Sequence, residues 1–219
     1  MMKDVKYYFK RPTADLVKRI LLVIFGVILM GLGIAFIVSV GWGADPVSVL
    51  SDGIHKFFQI DLGMAVNIIN CALFFIMLLF GWRYINVGTL INTFFLGTFI
   101  DFGMKLYSIL NASNTLFLRI VLIIVSFLCL FFGIALIIAA NIGLDVWSGL
   151  AMILRDWTHK EYKFFRVALD FVSLVIGFLL GGQIGVVTVI AAVLGGPLIQ
   201  WFTKFIKKTV FKMINLKDE

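Results

Sequence analysis

Charge is what this sequence has least of. Asp, Glu, Lys and Arg make up 14% of the 219 residues, against 62% apolar residues, and the mean hydropathy is +1.07. Soluble domains carry about a quarter charged residues. The shortage therefore excludes a water-soluble globule, a disordered chain and a nucleic-acid binder, although the pI is near 9.5. It also argues against a soluble enzyme, because so apolar a surface could not be kept in water. None of the apolar stretches alternates with period two, which excludes an outer-membrane barrel. The two cysteines, Cys71 and Cys129, fall inside apolar stretches and read as buried packing residues, not as a disulfide or metal site. There is no G-x-S-x-G, no H-E-x-x-H and no phosphate-cradling Gly-rich loop followed by Lys. His55 and His159 lack partners at metal-ligand spacing. The expectation is a chain that is no enzyme and takes no cofactor or metal.

In place of charge the sequence has long apolar runs. A bilayer core of ~30 Å takes about 20 apolar residues as a helix. Six stretches qualify: 20–40, 62–82, 85–106, 117–140, 164–181 and 184–203. Backbone satisfaction in lipid makes this a helical bundle. The first run, Ile20–Val40, follows a basic N-terminus but exceeds a signal-peptide h-region of about 7–15 residues, so it reads as a retained span. The predicted fold class is an all-α polytopic membrane protein with six transmembrane helices.

The few charges report sidedness. With six spans, 16 of the 19 Lys and Arg residues fall on one side, leaving Lys56, Lys105 and Arg119 on the other. The positive-inside bias assigns both termini to the cytoplasm. The basic ends, 1–19 and 204–219, read as anchors at an anionic leaflet, with 203–213 as an amphipathic continuation of the last helix. The expected partner is the lipid bilayer.

Sliding the chain against itself by one hundred residues aligns its two halves. Arg19 meets Arg119, Gly33-Ile34-Ala35 meets Gly133-Ile134-Ala135, and Gly81 meets Gly181. After a one-residue deletion, Thr89 and Gly97 meet Thr188 and Gly196. Repeats at 20–110 and 111–203 would each hold three spans. An odd number inserts the second copy upside down, an arrangement found in many secondary transporters.

Each copy follows its first span with a Gly-x-Asp-x-x-Ser-x-Leu element, Gly43–Leu50 and Gly143–Leu150. Asp45 suits an N-cap and Pro46 the first helical position. Short amphipathic helices are predicted over 46–58 and 146–158. Arg19–Val40 already spans about 31 Å, which favours interfacial helices; re-entrant elements are the alternative. Asp45, Ser48, Asp145 and Ser148 are either helix caps or groups at opposite mouths of a pathway.

Gly31-Leu32-Gly33-Ile34-Ala35, the Gly43–Leu50 element, Ile60-Asp61-Leu62-Gly63, and Gly88-Thr89-Leu90-Ile91-Asn92 with Gly97 and Asp101 resemble the YczE/YyaS/YitT group of bacterial integral membrane proteins. The similarity covers roughly 15–205 and is greatest to the YczE-like branch, with no soluble C-terminal domain after the last span. The second half departs from the group's pattern at Val146, where a proline is expected, and at Val187-Thr188 in place of Gly-Thr. The resemblance implies a bacterial cell-membrane protein, without supplying a substrate.

Ionisable residues within spans are costly and usually face a bundle interior. Asp170 lies about 10 Å into span five, and its repeat mate is Asn70, with Asn67 one turn away. These could form a midplane solute or proton site; the competing reading is a structural pair of Asp170 with Arg166, four residues earlier. Asn92 and Asp101 in span three are further pathway candidates; the competing reading for them and for Thr93 is helix–helix hydrogen bonding. The functional expectation is a secondary transporter or channel for a small solute. Alternatives are a membrane subunit that borrows an ATPase, or a non-transporting scaffold; a homodimer is open.

Overall fold

The computed structural model describes residues 13–110, 115–214 and 216. Lys3, Lys6, Lys10, Arg11 and Lys217, counted in the charge asymmetry, lie outside the described residues, as does 111–114 at the start of the second repeat. The described residues contain helices and no strand. In order these are α1 (Thr13–Val40), α2 (Pro46–Phe58), α3 (Leu62–Phe80), α4 (Val87–Leu110), α5 (Leu116–Ala140), α6 (Val146–Thr158), α7 (Tyr162–Leu179) and α8 (Val186–Phe205). A 3₁₀ turn, Trp82–Tyr84, joins α3 to α4. Beyond α8 a π turn, Ile206–Val210, leads into one more turn of helix, α9 (Phe211–Met213).

Five segments are long and apolar enough to cross a membrane: Ala14–Val40, Leu62–Phe80, Val87–Ile109, Leu116–Ala140 and Val186–Met213. The fifth predicted span, now α7, is not among them. It has 18 residues and places Lys163, Arg166 and Asp170 within that length.

α1 lies at the centre, packed along α5 and α4. Glycine permits the approach to α5. A Cβ on Gly26 would sit 2.8 Å from Gly133 O, and one on Gly33 would sit 2.7 Å from Leu130 N and 2.8 Å from Ser126 O. The contact of 26 with 133 thus has its counterpart, one hundred residues along, in the contact of 126 with 33. The same correspondence recurs in the backbone. Gly88 N donates to Ile142 O at 2.9 Å, and Val187 N donates to Trp42 O at 3.3 Å.

Elsewhere the halves differ. α3 closes on α4 where a Cβ on Gly63 would meet Gly97 O at 2.0 Å. The counterpart positions hold Lys163 and Gly196, and a Cβ on Gly196 would meet nothing within 4 Å. α7 packs along α2 instead, through Gly53 and Gly177, whose carbonyl would lie 2.4 Å from a Cβ on Gly53. The equivalent α3–α6 contact is filled by Met77 and Ile153, both buried.

The short helices do not lie on the surface. Ser48 to Gly53, six consecutive residues and hence every face of α2, are buried, and exposure begins only at Lys56. In α6 no residue is exposed before Trp157. Each packs into the rest of the protein by its N-terminal end. The close approach of α2 to α7 is the cause, aided by Asp52 Oδ2, which accepts from Gln183 N at 2.9 Å.

The segment after span six continues the helix as expected, and Ile206 and Phe211 on it are buried. Buried Arg19 donates to Ala140 O at 2.8 Å, and its guanidinium stands 5.6 Å from the Phe211 ring centre. Cys71 is exposed on α3, not buried, and Cys129 is half-buried; both are free.

Candidate functional site

The two Gly-x-Asp-x-x-Ser elements build matching helix starts. Asp45 has extended backbone (φ −63°, ψ 157°) and its Oδ2 accepts from Ser48 N at 3.3 Å. Asp145 is alike (φ −63°, ψ 153°), accepting from Ser148 N at 3.0 Å. In both, the carboxylate satisfies an otherwise orphaned helical N–H and faces the positive end of the helix dipole. The preceding Gly43 and Gly143 have φ of +96° and +133°, a region that favours glycine and lets the chain turn sharply from span to cap.

Capping does not exhaust Asp145. Arg166, one turn into α7, reaches α6: its Nη1 lies 3.9 Å from Asp145 Oδ2 and donates to Ser148 Oγ at 3.5 Å. Its Nε lies 3.4 Å from Asp170 Oδ2. Tyr162 OH donates to Ser148 Oγ at 3.2 Å. No hydrogen bond or ion pair among the described residues joins Asp45 to Arg166. Asp145 and Asp170 therefore share one guanidinium. Two carboxylates face one cation, and at the other helix start one oxygen, Asp45 Oδ1, is buried with no hydrogen-bond partner among the described residues. The side chains of Arg166, Asp145 and Asp170 are 35%, 29% and 30% exposed.

The remaining predicted residues divide into two sets. Asn67 Oδ1 accepts from Gly97 N at 3.1 Å and Asp101 Oδ1 from Gly63 N at 2.7 Å; both fasten the α3–α4 crossing and stand apart from Arg166. Asn70 and Asn92 are buried, 3% and 2% exposed. No hydrogen bond or ion pair among the described residues joins Asn70 to Asp170. Asn92 Oδ1 and the neighbouring Thr93 Oγ1 are buried without partners among the described residues. They lie one turn beyond Thr89, whose Oγ1 donates to Leu144 O at 2.6 Å. No group of three or more metal-ligating side chains occurs among the described residues.

Sequence reading missed Tyr162, and it missed a second cluster at the outer end of α6. There Asp156 Oδ2 accepts from Arg83 and from Tyr84 OH, and Oδ1 accepts from Arg155 Nη2 at 2.7 Å. Burial alone would raise the Asp156 pKa, but the hydrogen bonds from Tyr84, Arg155 and Arg83 outweigh it and lower it to about 2. Arg83 and Asp156 are 73 residues apart, so no local motif announces them.

Long apolar helices, glycine-mediated crossings and the absence of strand among the described residues define a polytopic helical membrane protein. More narrowly, the chain belongs to the family described as a family of unknown function, DUF6198, whose model matches residues 17–204. It is 30% identical over 191 residues to an uncharacterized protein of Haemophilus influenzae (strain Rd), covering 87% of this chain and 86% of that one. The uncharacterized protein YyaS of Bacillus subtilis (strain 168) is 22% identical, over 84% of this chain and 91% of YyaS. The uncharacterized membrane protein YczE of the same strain is 23% identical, over 80% of this chain and 81% of YczE. These matches bear out the resemblance to the YczE/YyaS group. No solved structure matches the chain.

Proposed function

We propose that the protein is a secondary transporter or channel for a small solute, in a bacterial inner membrane with both termini cytoplasmic. Six spans form two inverted three-helix repeats, α7 being the fifth, and the cluster around Arg166 is the solute or proton site. The carrying observation is that one guanidinium, Arg166, holds two carboxylates at once, Asp145 of the capped element and Asp170 of its own helix. A helix packed only for structure needs no such convergence. The paired contacts of 26 with 133 and 126 with 33 support the two-fold relation, and the two short helices, each packed in by its N-terminal end, support a site between the halves.

Two further features favour a polar interior. Charged groups within a span are costly unless they serve a pathway or a pair, and Arg166 carries more carboxylates than it can neutralise. Asn92 and Thr93 leave buried oxygens unpaired, which water in a pathway would satisfy. In this reading Asp170 carries the coupling proton, and the chemistry is translocation without catalysis.

Proteoliposomes carrying a trapped pH dye, screened against amino acids, sugars, organic acids and monovalent cations, test the proposal. A solute-dependent proton flux is expected, abolished by Asp170→Asn with expression intact. Flux undiminished in Asp170→Asn would remove Asp170 from the mechanism, and no flux with any solute class would remove the carrier.

A further inference from the structure

The 3₁₀ turn between α3 and α4 and the end of α6 enclose an open cavity of about 450 Å³, lined by Arg83, Arg155, Asp156, His159 and Lys160. Three cations face one carboxylate. That carboxylate is fully engaged: Arg83 and Tyr84 OH occupy Oδ2, and Arg155 Nε and Nη2 occupy Oδ1 at 3.0 and 2.7 Å. Asp156 thus pins two guanidiniums side by side while cancelling only one charge. A second anion would relieve the repulsion, and guanidiniums offer phosphate a paired set of donors. The cationic surplus also outweighs the partial negative charge, roughly half a unit, at the C-terminus of α6.

The other half of the chain provides an internal control. The corresponding positions carry Gln183, Ile184, His55 and Lys56, and Lys56 is already paired with Asp52 at 2.6 Å. A basic cavity is therefore not a by-product of the repeat. Its rim is aromatic as well. Phe80 and Trp157 meet edge to face at 5.2 Å, both are exposed, and Trp82 is 70% exposed. Aromatic rings at this level of a membrane protein sit among lipid headgroups, and basic pockets beside spans on the cytoplasmic side take acidic headgroups.

We propose that this cavity binds the phosphate of an anionic phospholipid, with Arg83, Arg155 and Lys160 on the phosphate and Phe80, Trp82 and Trp157 against the lipid's apolar part. The site is separate from the Arg166 cluster and does not depend on transport.

The test is native mass spectrometry of the full chain released from detergent containing phosphatidylglycerol, phosphatidylcholine or inorganic phosphate. Selective retention of phosphatidylglycerol is expected, falling about fivefold for each cation removed in Arg83→Gln and Lys160→Gln. Lys160 is exposed and makes no bond to Asp156, so a loss in Lys160→Gln cannot be attributed to misfolding. Displacement of the lipid by millimolar inorganic phosphate would assign the same chemistry to a soluble phosphate and overturn the lipid as its source. Equal retention of the two lipids, or retention unchanged in both variants, would overturn the site itself.

Discussion

Arg166 Nη1 lies 3.9 Å from the carboxylate of Asp145, which caps α6, while Nε of the same guanidinium lies 3.4 Å from Asp170. One side chain on a charged, 18-residue helix therefore joins that helix to the start of a half-helix. Removing it leaves Asp145 and Asp170 facing one another without a cation between them. Arg166→Ala is expected to cost about 1–3 kcal/mol, the lower range for a partly exposed pair. Adding Asp170→Asn should restore part of the loss by removing one like charge. Thermal unfolding in detergent of the two single variants and the double variant measures the coupling; additive losses would show that Arg166 does not balance Asp170.

Glycine at the central crossing permits no side chain. At Gly33 a Cβ would meet backbone atoms at 2.7 and 2.8 Å, and backbone cannot swing aside as a long side chain can. Gly33→Leu should therefore cost about 1–3 kcal/mol or more through overpacking and lower the yield of folded protein. Gly196→Leu serves as the contrast, since nothing lies within 4 Å of its Cβ position; its melting temperature should stay near that of the parent. Equal losses at the two positions would contradict the packing described for α1 and α8.

The Asp156 cluster sets an acid limit. Its folded-state pKa of about 2 lies below the ordinary carboxylate value, so its contribution is fully present above about pH 4 and lost as the pH falls through about 2. Water and salt reach the site, and Asp156→Asn should cost only about 1 kcal/mol at neutral pH. Below pH 2 the variant and parent should converge. Melting curves between pH 2 and 7 check this, and a constant gap across that range would contradict it.

The family, the membrane class and five of the six predicted spans were legible in the sequence, because lipid imposes a length and an apolar composition that a short window reveals. The helix starts at Asp45 and Asp145 were legible for a similar reason: a cap is a contact between residues three apart. The α3–α4 crossing was half legible. Gly63, Asn67, Gly97 and Asp101 each stood out, but their pairing requires two helices to meet.

Tertiary structure decided the rest. It joined Asp145 to Asp170 through one guanidinium, and it buried the start of α2, because Gly53 and Gly177 let α2 press against α7. It left α7 clear of α8, where Lys163 replaces the glycine that closes the first half. Composition and local spacing decide which segments leave water and where helices begin. Which charges meet depends on backbone approach between distant segments, and a single missing Cβ on each side sets that distance.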